Sequence, residues 1–434
     1  MANDQDERTT CCVVGGGPAG MMFGFLLARA GVEVRVLEKH RDFFRDFRGD
    51  TVHPSTLEVF YELGLLDDFL RVPHQQITSA SGVLGNFSFT AARFNHLPAR
   101  CRFIALMPQW DLLDFVASRA RRFPNFQLSM EHEATGLVHE GQRAIGVEVK
   151  TPEGAKTIEA DLIVACDGRH STLRKAAGME VVDSGVPIDV LWFRLSRKSN
   201  DSEQLLGRLN YGKAMILINR GDYFQAGLII RKGGFDQVQR DGMEKLRKDL
   251  VQIAPFLEGR VDELKDWEQI KLLTVQINHL RQWYAPGLLC IGDAAHAMSP
   301  AGGVGINLAI QDAIAAARIL APSLRDGFST DELLPLVQAR RKFPARVTQA
   351  LQKRAHMGMA RLFDNPGPMV APWQFQLAMQ IPGIQRVLGR LIGMGVRPEH
   401  VKERVVNQRL LRVACGIGVG FAALRLLRRS VSAG

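Results

Sequence analysis

Two short apolar runs near the start of the chain enclose a glycine-rich turn and a helical segment. The runs "TCCVVG" (10–15) and "VEVRVLEK" (32–39) are rich in valine and have the length of buried strands. Between them, "GGGPAGMMFGFLLARAG" contains a glycine turn that leads into a helix ending at Gly31. The pattern predicts a strand-turn-helix-strand unit over residues 10–39.

The turn has the spacing Gly15-x-Gly17-x-x-Gly20, and Glu38 follows at the end of the second strand. Glycines permit a tight turn and close approach of a ligand to the backbone. The helix N-terminus attracts a pyrophosphate, and the carboxylate accepts hydrogen bonds from an adenosine ribose. Strand, glycines, helix, second strand and acid occur in the order that such a site requires. We therefore predict a dinucleotide site here.

Further apolar patterns extend this architecture. The segment "RDFRGDTVHPSTLEVF" predicts a helix from Pro54 with Arg48 ahead of it, and "MPQWDLLDFVASRARRF" predicts a helix with Gln109 near its start. A buried strand, "KTIEADLIVACDG", ends in Asp167–Gly168. An Asp-Gly pair at the end of a strand is often only a turn, so its meaning depends on the residues around it.

From about Val186 to Lys232 the pattern changes to apolar strands separated by turns, "IDVLWFRL", "KAMILIN" and "YFQAGLIIRK". These strands predict an antiparallel sheet inserted between two parts of the nucleotide-binding domain. Beyond Leu320 the chain is mostly helical, with Pro and Gly as breakers. We expect a mixed α/β (α+β) fold with a helical C-terminal region.

A second glycine loop, "GDAAHAMSPAGGVGINLAIQDA" (292–313), follows another apolar strand. It lacks the spacing of the first loop and no acid follows a later strand, so a different part of a ligand is expected there. An extended FAD needs its diphosphate at one helix N-terminus and its ring near another, where backbone N–H groups stabilise negative charge. Asp293 is then placed to accept hydrogen bonds from ribityl hydroxyls. The alternative is a glycine turn that only precedes a helix.

The chain has 434 residues, enough for two or three structural units, and no secretory signal is recognisable at its start. Its six cysteines have no metal-binding or disulfide spacing, so we predict no metal site, and Cys11, Cys12, Cys166 and Cys290 are expected in the core. We expect a cytoplasmic protein.

The net charge of +10 is concentrated at the C-terminus. The segment from Arg386 to the end has ten Lys or Arg and two Glu, a net charge of +8, so no nucleic-acid-binding face is expected. The uncharged run Val413 to Leu424 is shorter than the about 20 residues of a membrane span. Together with the arginines on either side, this run predicts an interfacial helix over 405–430 that lies on the anionic inner face of a membrane. The alternative is a helix packed on the protein or in a subunit interface.

Taken together, the first glycine loop with Glu38 and Arg48, "CDGRHSTLR" (166–174) and the second glycine loop resemble the single-component FAD-dependent monooxygenases similar to p-hydroxybenzoate hydroxylase. The resemblance covers residues 10–320. It implies a Rossmann-like FAD-binding domain (1–75, 100–180 and 270–345) interleaved with an antiparallel-sheet substrate domain (76–99 and 181–269), followed by a helical region (346–434).

The resemblance also implies a set of cofactor contacts and a flavin-facing loop at Pro300, Gly302 and Gly303. The cofactor-binding residues that it implies are Gly15, Gly17, Pro18, Ala19, Gly20, Glu38, Lys39, Arg48, Gln109, Asp167, Asp293, Pro300, Gly303, Gly305, Ile306 and Asn307.

The implied reaction is reduction of FAD by NADPH or NADH, addition of dioxygen to give a flavin C4a-hydroperoxide, and hydroxylation or epoxidation of an aromatic or apolar polycyclic substrate. The alternatives are an FAD-dependent isoprenoid or polyene reductase, a halogenase, and a non-catalytic flavin-binding sensor docked to a membrane. No side chain is an evident catalytic acid or base, and His53 and His296 are expected to make structural hydrogen bonds.

Alternation along the inserted strands makes Trp192, Tyr223 and Gln225 candidates for substrate contact. Core packing is the alternative role of each. The substrate itself, the choice between NADPH and NADH, and the oligomeric state are left open by the sequence.

Overall fold

The computed structural model describes residues 7–44, 51–201 and 205–401. The chain divides into two compact units, residues 1–399 and 400–434, and the fold below is that of the first unit. Arg48 and the predicted membrane-surface segment 405–430 lie outside the described residues.

The described strands fall into a large mixed sheet, a seven-stranded sheet and two small sheets. They are β1 (Glu7–Val14), β2 (Val34–Glu38), β3 (Thr51–Val52), β4 (Gln75–Ile77), β5 (Ser79–Leu84), β6 (Phe87–Arg93), β7 (Ile104–Leu106), β8 (Phe126–Met130), β9 (Glu133–Glu140), β10 (Arg143–Thr151), β11 (Gly154–Ala165), β12 (Val181–Asp183), β13 (Ile188–Ser196), β14 (Leu205–Asn210), β15 (Lys213–Asn219), β16 (Tyr223–Arg231), β17 (Lys271–Leu273), β18 (Asn278–Leu280), β19 (Tyr284–Ala285) and β20 (Leu288–Cys290).

The helices cover the sheets or connect their strands. They are α1 (Pro18–Arg29), α2 (Pro54–Glu62), α3 (Leu66–Phe69), α4 (Gln109–Ala120), α5 (Thr172–Ala176), α6 (Phe235–Asp241), α7 (Met243–Ile253), α8 (Gly305–Arg325), α9 (Leu334–Leu362), α10 (Trp373–Gln380) and α11 (Ile384–Gly393).

In the large sheet, β20, β11, β1, β2 and β8 lie side by side and run parallel. Antiparallel β9 and β10 extend it from the first half of β11. Parallel neighbours need a crossover connection, and α1 supplies it between β1 and β2. Gly24 lets α1 approach closely, because an ideal Cβ there would stand 2.6 Å from Cγ2 of Val36. The predicted strand-turn-helix-strand unit is confirmed.

The seven-stranded sheet has the order β17-β13-β16-β15-β14-β5-β6. All neighbours are antiparallel except β14 and β5, which run parallel. The predicted antiparallel sheet is thus confirmed apart from this pair, which joins strands far apart in the chain. The domain boundaries stay a prediction, since both sheets lie within the unit 1–399.

The two faces of the seven-stranded sheet belong to different cores. Phe193 lies in a cluster with Leu250 of α7, whereas its neighbour Trp192 lies in a cluster with Leu106 of β7 on the other face. Strand β7 pairs with β3 and β4 in a three-stranded antiparallel sheet. This small sheet therefore lies against the face of the seven-stranded sheet that carries Trp192, which we call its second face.

The segment Ala301–Arg325, which contains α8, is the one described helix long and apolar enough to cross a membrane. It is a core helix instead, because 72% of its most apolar window is buried inside the protein. The helices that follow, α9 to α11, agree with the helical region predicted after Leu320, as far as residue 401.

Cys11, Cys12, Cys166 and Cys290 are buried and free, as predicted. Burial raises the pKa of the Cys12 thiol to about 12 and raises those of the other three, so all four are uncharged core residues.

Candidate functional site

The first glycine turn is closed on one side and open on the other. Gly15 has φ +107°, and an ideal Cβ there would stand 2.4 Å from the carbonyl oxygen of Cys166. An ideal Cβ on Gly20 would stand 2.0 Å from the carbonyl oxygen of Gly15. By contrast, no atom lies within 4 Å of an ideal Cβ on Gly17. Two glycines are therefore required by packing, and the third leaves open space beside the turn.

Helix α1 begins at this open space. Gly17 is its N-cap, Pro18 occupies the first turn, and the first turn has neither a capping side chain nor an acid. The first N–H groups of a helix have no partner within it, and the helix dipole makes that end positive. The start of α1 is therefore suited to a diphosphate, and the cofactor contacts of Pro18, Ala19 and Gly20 stay a prediction.

Glu38, half-buried at the end of β2, holds the turn in place. Its Oε2 accepts a hydrogen bond from the Gly16 N–H at 3.0 Å, and its Oε1 accepts one from the His40 N–H at 3.1 Å. Lys39 beside it is exposed, and Gln109 is the half-buried first residue of α4.

The Asp167 carboxylate has one bonded and one unpartnered oxygen. Its Oδ2 accepts hydrogen bonds from Thr172 N–H at 2.7 Å and Leu173 N–H at 3.2 Å. Its Oδ1 is buried and finds no hydrogen-bond partner among the described residues. Burial raises the pKa of Asp167, although its hydrogen bonds oppose the shift. A buried acceptor of this kind is costly unless a ligand or water satisfies it.

Arg169 connects this motif to the second glycine loop. Its Nη2 donates to Oδ2 of Asp293 at 3.2 Å, and both side chains are about one quarter exposed. Its Nη1 is buried without a partner in the described part of the chain. Arg174, from the same motif, donates to the carbonyl oxygen of Ala294 at 3.1 Å. Two arginines from the "CDGRHSTLR" motif thus bond to Asp293 and to its neighbour Ala294.

The two glycine loops contact each other. Gly292 has φ +62°, and an ideal Cβ there would stand 3.1 Å from the Cβ of Ala19 in the first turn of α1. The Gly292 N–H donates to Oδ2 of buried Asp312 in α8 at 3.1 Å. Segments more than 270 residues apart in the chain therefore lie next to each other.

The flavin-facing turn predicted at Pro300, Gly302 and Gly303 has a conformation that requires glycine. Gly302 and Gly303 have φ +80° and +62°. Thr51 Oγ1 of β3 donates to the Gly303 carbonyl oxygen at 2.8 Å. Helix α8 begins directly after this turn at Gly305, without a capping side chain and without an acid in its first turn. Its first N–H groups, at Gly305 and Ile306 among others, are thus placed to stabilise negative charge.

The buried Asn307 side chain makes four hydrogen bonds inside the protein. Its Nδ2 donates to the carbonyl oxygens of Thr51 and Gly303, each at 3.2 Å. Its Oδ1 accepts from the His53 N–H and the Thr56 hydroxyl, each at 2.8 Å. The amide is therefore fully engaged, and the cofactor contact of Asn307, which stays a prediction, would have to use its backbone.

Three residues of α9, which were not predicted, hold the segment before α8. Gln349 donates to the Ala297 carbonyl oxygen at 3.0 Å, and Gln352 donates to that of Ser299 at 3.0 Å. His356 Nε2 lies 2.9 Å from the Ser299 hydroxyl. Their spacing places them on one side of α9, and this was the only indication of their role that the sequence offered. Because glutamine on a helix is usually exposed, the spacing alone did not identify them.

His296 and His53 have structural partners, as expected. His296 Nε2 lies 2.5 Å from Oδ2 of Asp312, whose Oδ1 accepts from Nε of Arg341 at 2.8 Å. Burial raises the pKa of Asp312, but His296 and Arg341 together bring it below its usual value. His53 Nδ1 lies 2.7 Å from the Ile392 carbonyl oxygen, and burial lowers the pKa of His53 to about 4. His53 is therefore neutral and Asp312 is a buried anion.

The candidate substrate residues share one face of the seven-stranded sheet. Trp192 of β13 is opposite Gly227 of β16, and Tyr223 and Gln225 of β16 precede that glycine at the two-residue spacing of one face. This is the face whose core includes β7, and β7 pairs with β3, which contacts the Gly303 turn. The side chain of Gln225 is buried and accepts from Arg220 at 3.1 Å.

Comparisons with known proteins agree with this geometry. The chain matches the FAD binding domain family over residues 8–351. It is 30% identical over 403 residues to 6-methylpretetramide 4-monooxygenase of Streptomyces rimosus, which covers 88% of this chain and 92% of that protein. The chain belongs to the FAD-dependent monooxygenases. The predicted resemblance is confirmed, and so are an oxidoreductase activity, FAD as the cofactor and NAD(P)H as the typical donor.

Other monooxygenases are similar over most of their length. Rifampicin monooxygenase of Streptomyces venezuelae is 27% identical over 401 residues, which cover 87% of this chain and 76% of that protein. The structure of anhydrotetracycline hydroxylase OxyS from Streptomyces rimosus matches with a TM-score of 0.70 at 23% identity, covering 92% of this chain and 78% of that chain. The second likeness shows the shared fold.

The described residues of this monooxygenase fit FAD. The uncapped start of α1 beside open space suits the diphosphate, and the unpartnered Oδ1 of Asp167 provides a buried acceptor near it. The uncapped start of α8 suits the negative charge of reduced flavin. The chemistry that bound FAD supplies is hydride acceptance from NAD(P)H and activation of dioxygen. The protein supplies binding, orientation and an environment that excludes water.

Proposed function

We propose that this monooxygenase uses NAD(P)H and dioxygen to hydroxylate an aromatic, polycyclic small molecule. The observation that carries the proposal is the 30% identity, over 403 residues, to an enzyme named for monooxygenation of 6-methylpretetramide. Relatives named for tetracycline intermediates and for rifampicin support a large ring system as the substrate.

The geometry supports a substrate site between the Gly303 turn and the second face of the seven-stranded sheet. Trp192 on this face is 7% exposed, and its Nε1–H is buried without a hydrogen-bond partner among the described residues. An unsatisfied indole donor on a mainly apolar face that also carries Tyr223 and Gln225 suits a ring ligand with a few oxygen substituents. Trp192 Nε1 would then donate to a substrate oxygen.

The protein groups around this site have three tasks. Thr51 and Asn307 hold the Gly303 turn, and the first N–H groups of α8 stabilise negative charge on the bound cofactor. The apolar residues that line the sheet face exclude water from the reacting atoms. We further propose that the enzyme acts in the cytoplasm.

The test is anaerobic reduction of the purified, FAD-loaded protein by NADPH or NADH, followed by exposure to isotope-labelled dioxygen. Polycyclic phenols, single-ring phenols and isoprenoids are compared as ligands. We expect a polycyclic phenol to quicken bleaching of the flavin band and to yield a product that contains one labelled oxygen atom. A product that gains hydrogen without oxygen, or no flavin reduction with any ligand, would refute the proposal.

Trp192→Phe separates the substrate role from folding. It replaces the indole by a smaller phenyl ring, which removes the N–H together with the part of the indole that packs on Gly227. Flavin content should be unchanged while the KM of the polycyclic ligand rises. Trp267→Phe is the matched control, because Trp267 packs on Phe235 beside α6 in the other core. Equal KM values for both variants would remove Trp192 from the substrate site.

A further inference from the structure

An exposed apolar strip runs along α10 and the turn after it. Trp373, Leu377 and Ile381 are 69%, 57% and 52% exposed. Trp373 and Leu377 are four residues apart and so lie along one side of α10, and Ile381 follows as its C-terminal cap. Val387 of α11 is also exposed. Single exposed apolar residues are normal on a protein surface, whereas a group of large ones marks an interaction surface.

The other side of this region is fixed to the fold. Phe375 of α10 packs edge-on against Phe87 and Phe89 of β6, with ring centroids 6.2 and 5.0 Å apart. In α11, an ideal Cβ on Gly389 would stand 1.9 Å from the Arg93 carbonyl oxygen, so α11 also lies directly on β6. Because Trp373 is two residues from Phe375 in the helix, its side chain points away from the sheet.

Positive charge borders the strip. From Asn365 to Pro398 the chain has three Arg and no Asp or Glu. One of them, Arg386, lines a surface cavity of about 480 Å³ together with Arg93, Gln385 and the Pro382–Gly383 turn. No acidic side chain lines this cavity. The strip thus has cationic groups at one end, where α10 meets α11.

We propose that this surface, formed by α10, the 381–383 turn and α11, docks onto an anionic lipid bilayer. Trp373, Leu377 and Ile381 enter the interfacial region, where tryptophan is favoured, and Arg386 and Arg390 lie at the level of the lipid phosphates. Each arginine near such a surface strengthens binding by about fivefold. This docking surface lies within residues 373–393 and does not include the segment 405–430.

Charge favours a bilayer over a second copy of the chain. In a symmetric dimer the same surface patch is used twice, so two arginine-bordered strips would face each other with no carboxylate between Asn365 and Pro398 to pair with them. An anionic bilayer satisfies the apolar strip and the arginines together.

The test uses the full-length, FAD-loaded protein with vesicles of phosphatidylcholine, with or without phosphatidylglycerol. We expect sedimentation with the anionic vesicles only, weakened by salt. Lipids brominated on the acyl chains should quench tryptophan emission. Trp373→Phe should abolish this quenching without abolishing binding, because Trp192 and Trp283 are buried and Trp110 and Trp267 are partly buried.

Paired variants identify the groups that bind. Leu377→Gln with Ile381→Gln, and Arg386→Gln with Arg390→Gln, should each weaken partition about tenfold or more. Phe328→Gln and Arg122→Gln change exposed residues elsewhere and should leave partition unchanged. The proposal would be overturned if neither pair of substitutions weakened vesicle binding, or if bromolipids still quenched the tryptophan emission of Trp373→Phe. It would also be overturned if these substitutions changed the oligomeric state and the protein did not bind vesicles. None of these readouts depends on the substrate.

Discussion

Replacing Gly303 by alanine tests how the flavin-facing turn is held. Gly303 has φ +62°, and its ideal Cβ would stand 2.1 Å from Oγ1 and 3.0 Å from Cβ of Thr51. The left-handed conformation alone costs a residue with a side chain about 1 kcal/mol. Relief of the overlap must move Thr51 and break its 2.8 Å hydrogen bond to the Gly303 carbonyl oxygen, which costs about 1 kcal/mol more. Residual crowding adds about 1 kcal/mol or more.

Gly178→Ala is the matched control for Gly303→Ala. Gly178 has the same φ of +62°, but no atom lies within 4 Å of its ideal Cβ. The control therefore pays only the conformational cost, and Gly303→Ala should destabilise the protein by about 2 kcal/mol more than Gly178→Ala does. Urea unfolding of the FAD-loaded proteins measures this difference, and flavin fluorescence measures the loss of FAD affinity expected for Gly303→Ala alone.

Thr51→Ala provides a second test of the same contact. It removes Oγ1 and Cγ2, two of the three Thr51 atoms that crowd a Cβ added at Gly303. In that background Gly303→Ala should cost less than in the wild type, so the two changes should be non-additive. Equal costs for Gly303→Ala and Gly178→Ala, or full additivity with Thr51→Ala, would show that the close contact with Thr51 does not determine the turn.

Three further changes test the cofactor site and its buried histidine. Glu38→Ala removes the acceptor of the Gly16 N–H. FAD binding should weaken about tenfold or more, which corresponds to the loss of one charged hydrogen bond. An unchanged FAD affinity in a fluorescence titration would contradict this. Asp293→Ala removes the partner of Arg169 and should yield protein that loses FAD on purification, whereas full yellow colour would count against the assigned role. Burial lowers the pKa of His53 to about 4, so the unfolded chain binds a proton near pH 6.5 and the folded chain does not. Stability should therefore fall by up to about 3 kcal/mol as the pH decreases from about 6.5 to 4. His53→Asn keeps a donor for the Ile392 carbonyl oxygen and should remove this part of the slope in urea unfolding at several pH values; an unchanged slope would exclude His53.

The parts of the fold that depend on local spacing were predictable. Gly15, Gly20 and Glu38 are set by the geometry of one turn, and the sequence places all of them within a short stretch. Apolar runs likewise predicted β13, β15 and β16, because a buried strand needs little beyond its own residues to be recognised. The parallel pairing of β14 with β5 depends on where distant segments meet, and no local pattern encodes it.

The supports of the site were not predictable for the same reason. Thr51, Asp312 and Gln352 each hold a backbone group between Gly292 and Gly303, and each comes from a different element. Nothing in the neighbourhood of Gln352 distinguishes it from an exposed helical glutamine. Asn307 shows the converse, since its motif predicted a cofactor contact while its amide makes four hydrogen bonds within the protein.

The way in which the two glycine loops meet has a consequence for binding. Ala19 contacts Gly292, and Asp312 bonds the Gly292 N–H, so the start of α1 and the second loop are held together by the protein itself. The Gly303 turn is in turn held from β3 and from α8. An extended cofactor needs both ends of this arrangement at once, and the second end is not held until β3, α8 and α9 have packed. FAD affinity should therefore report on folding of the whole unit 1–399, and the strand-turn-helix-strand segment alone, with only one of the two loops, should bind the cofactor weakly.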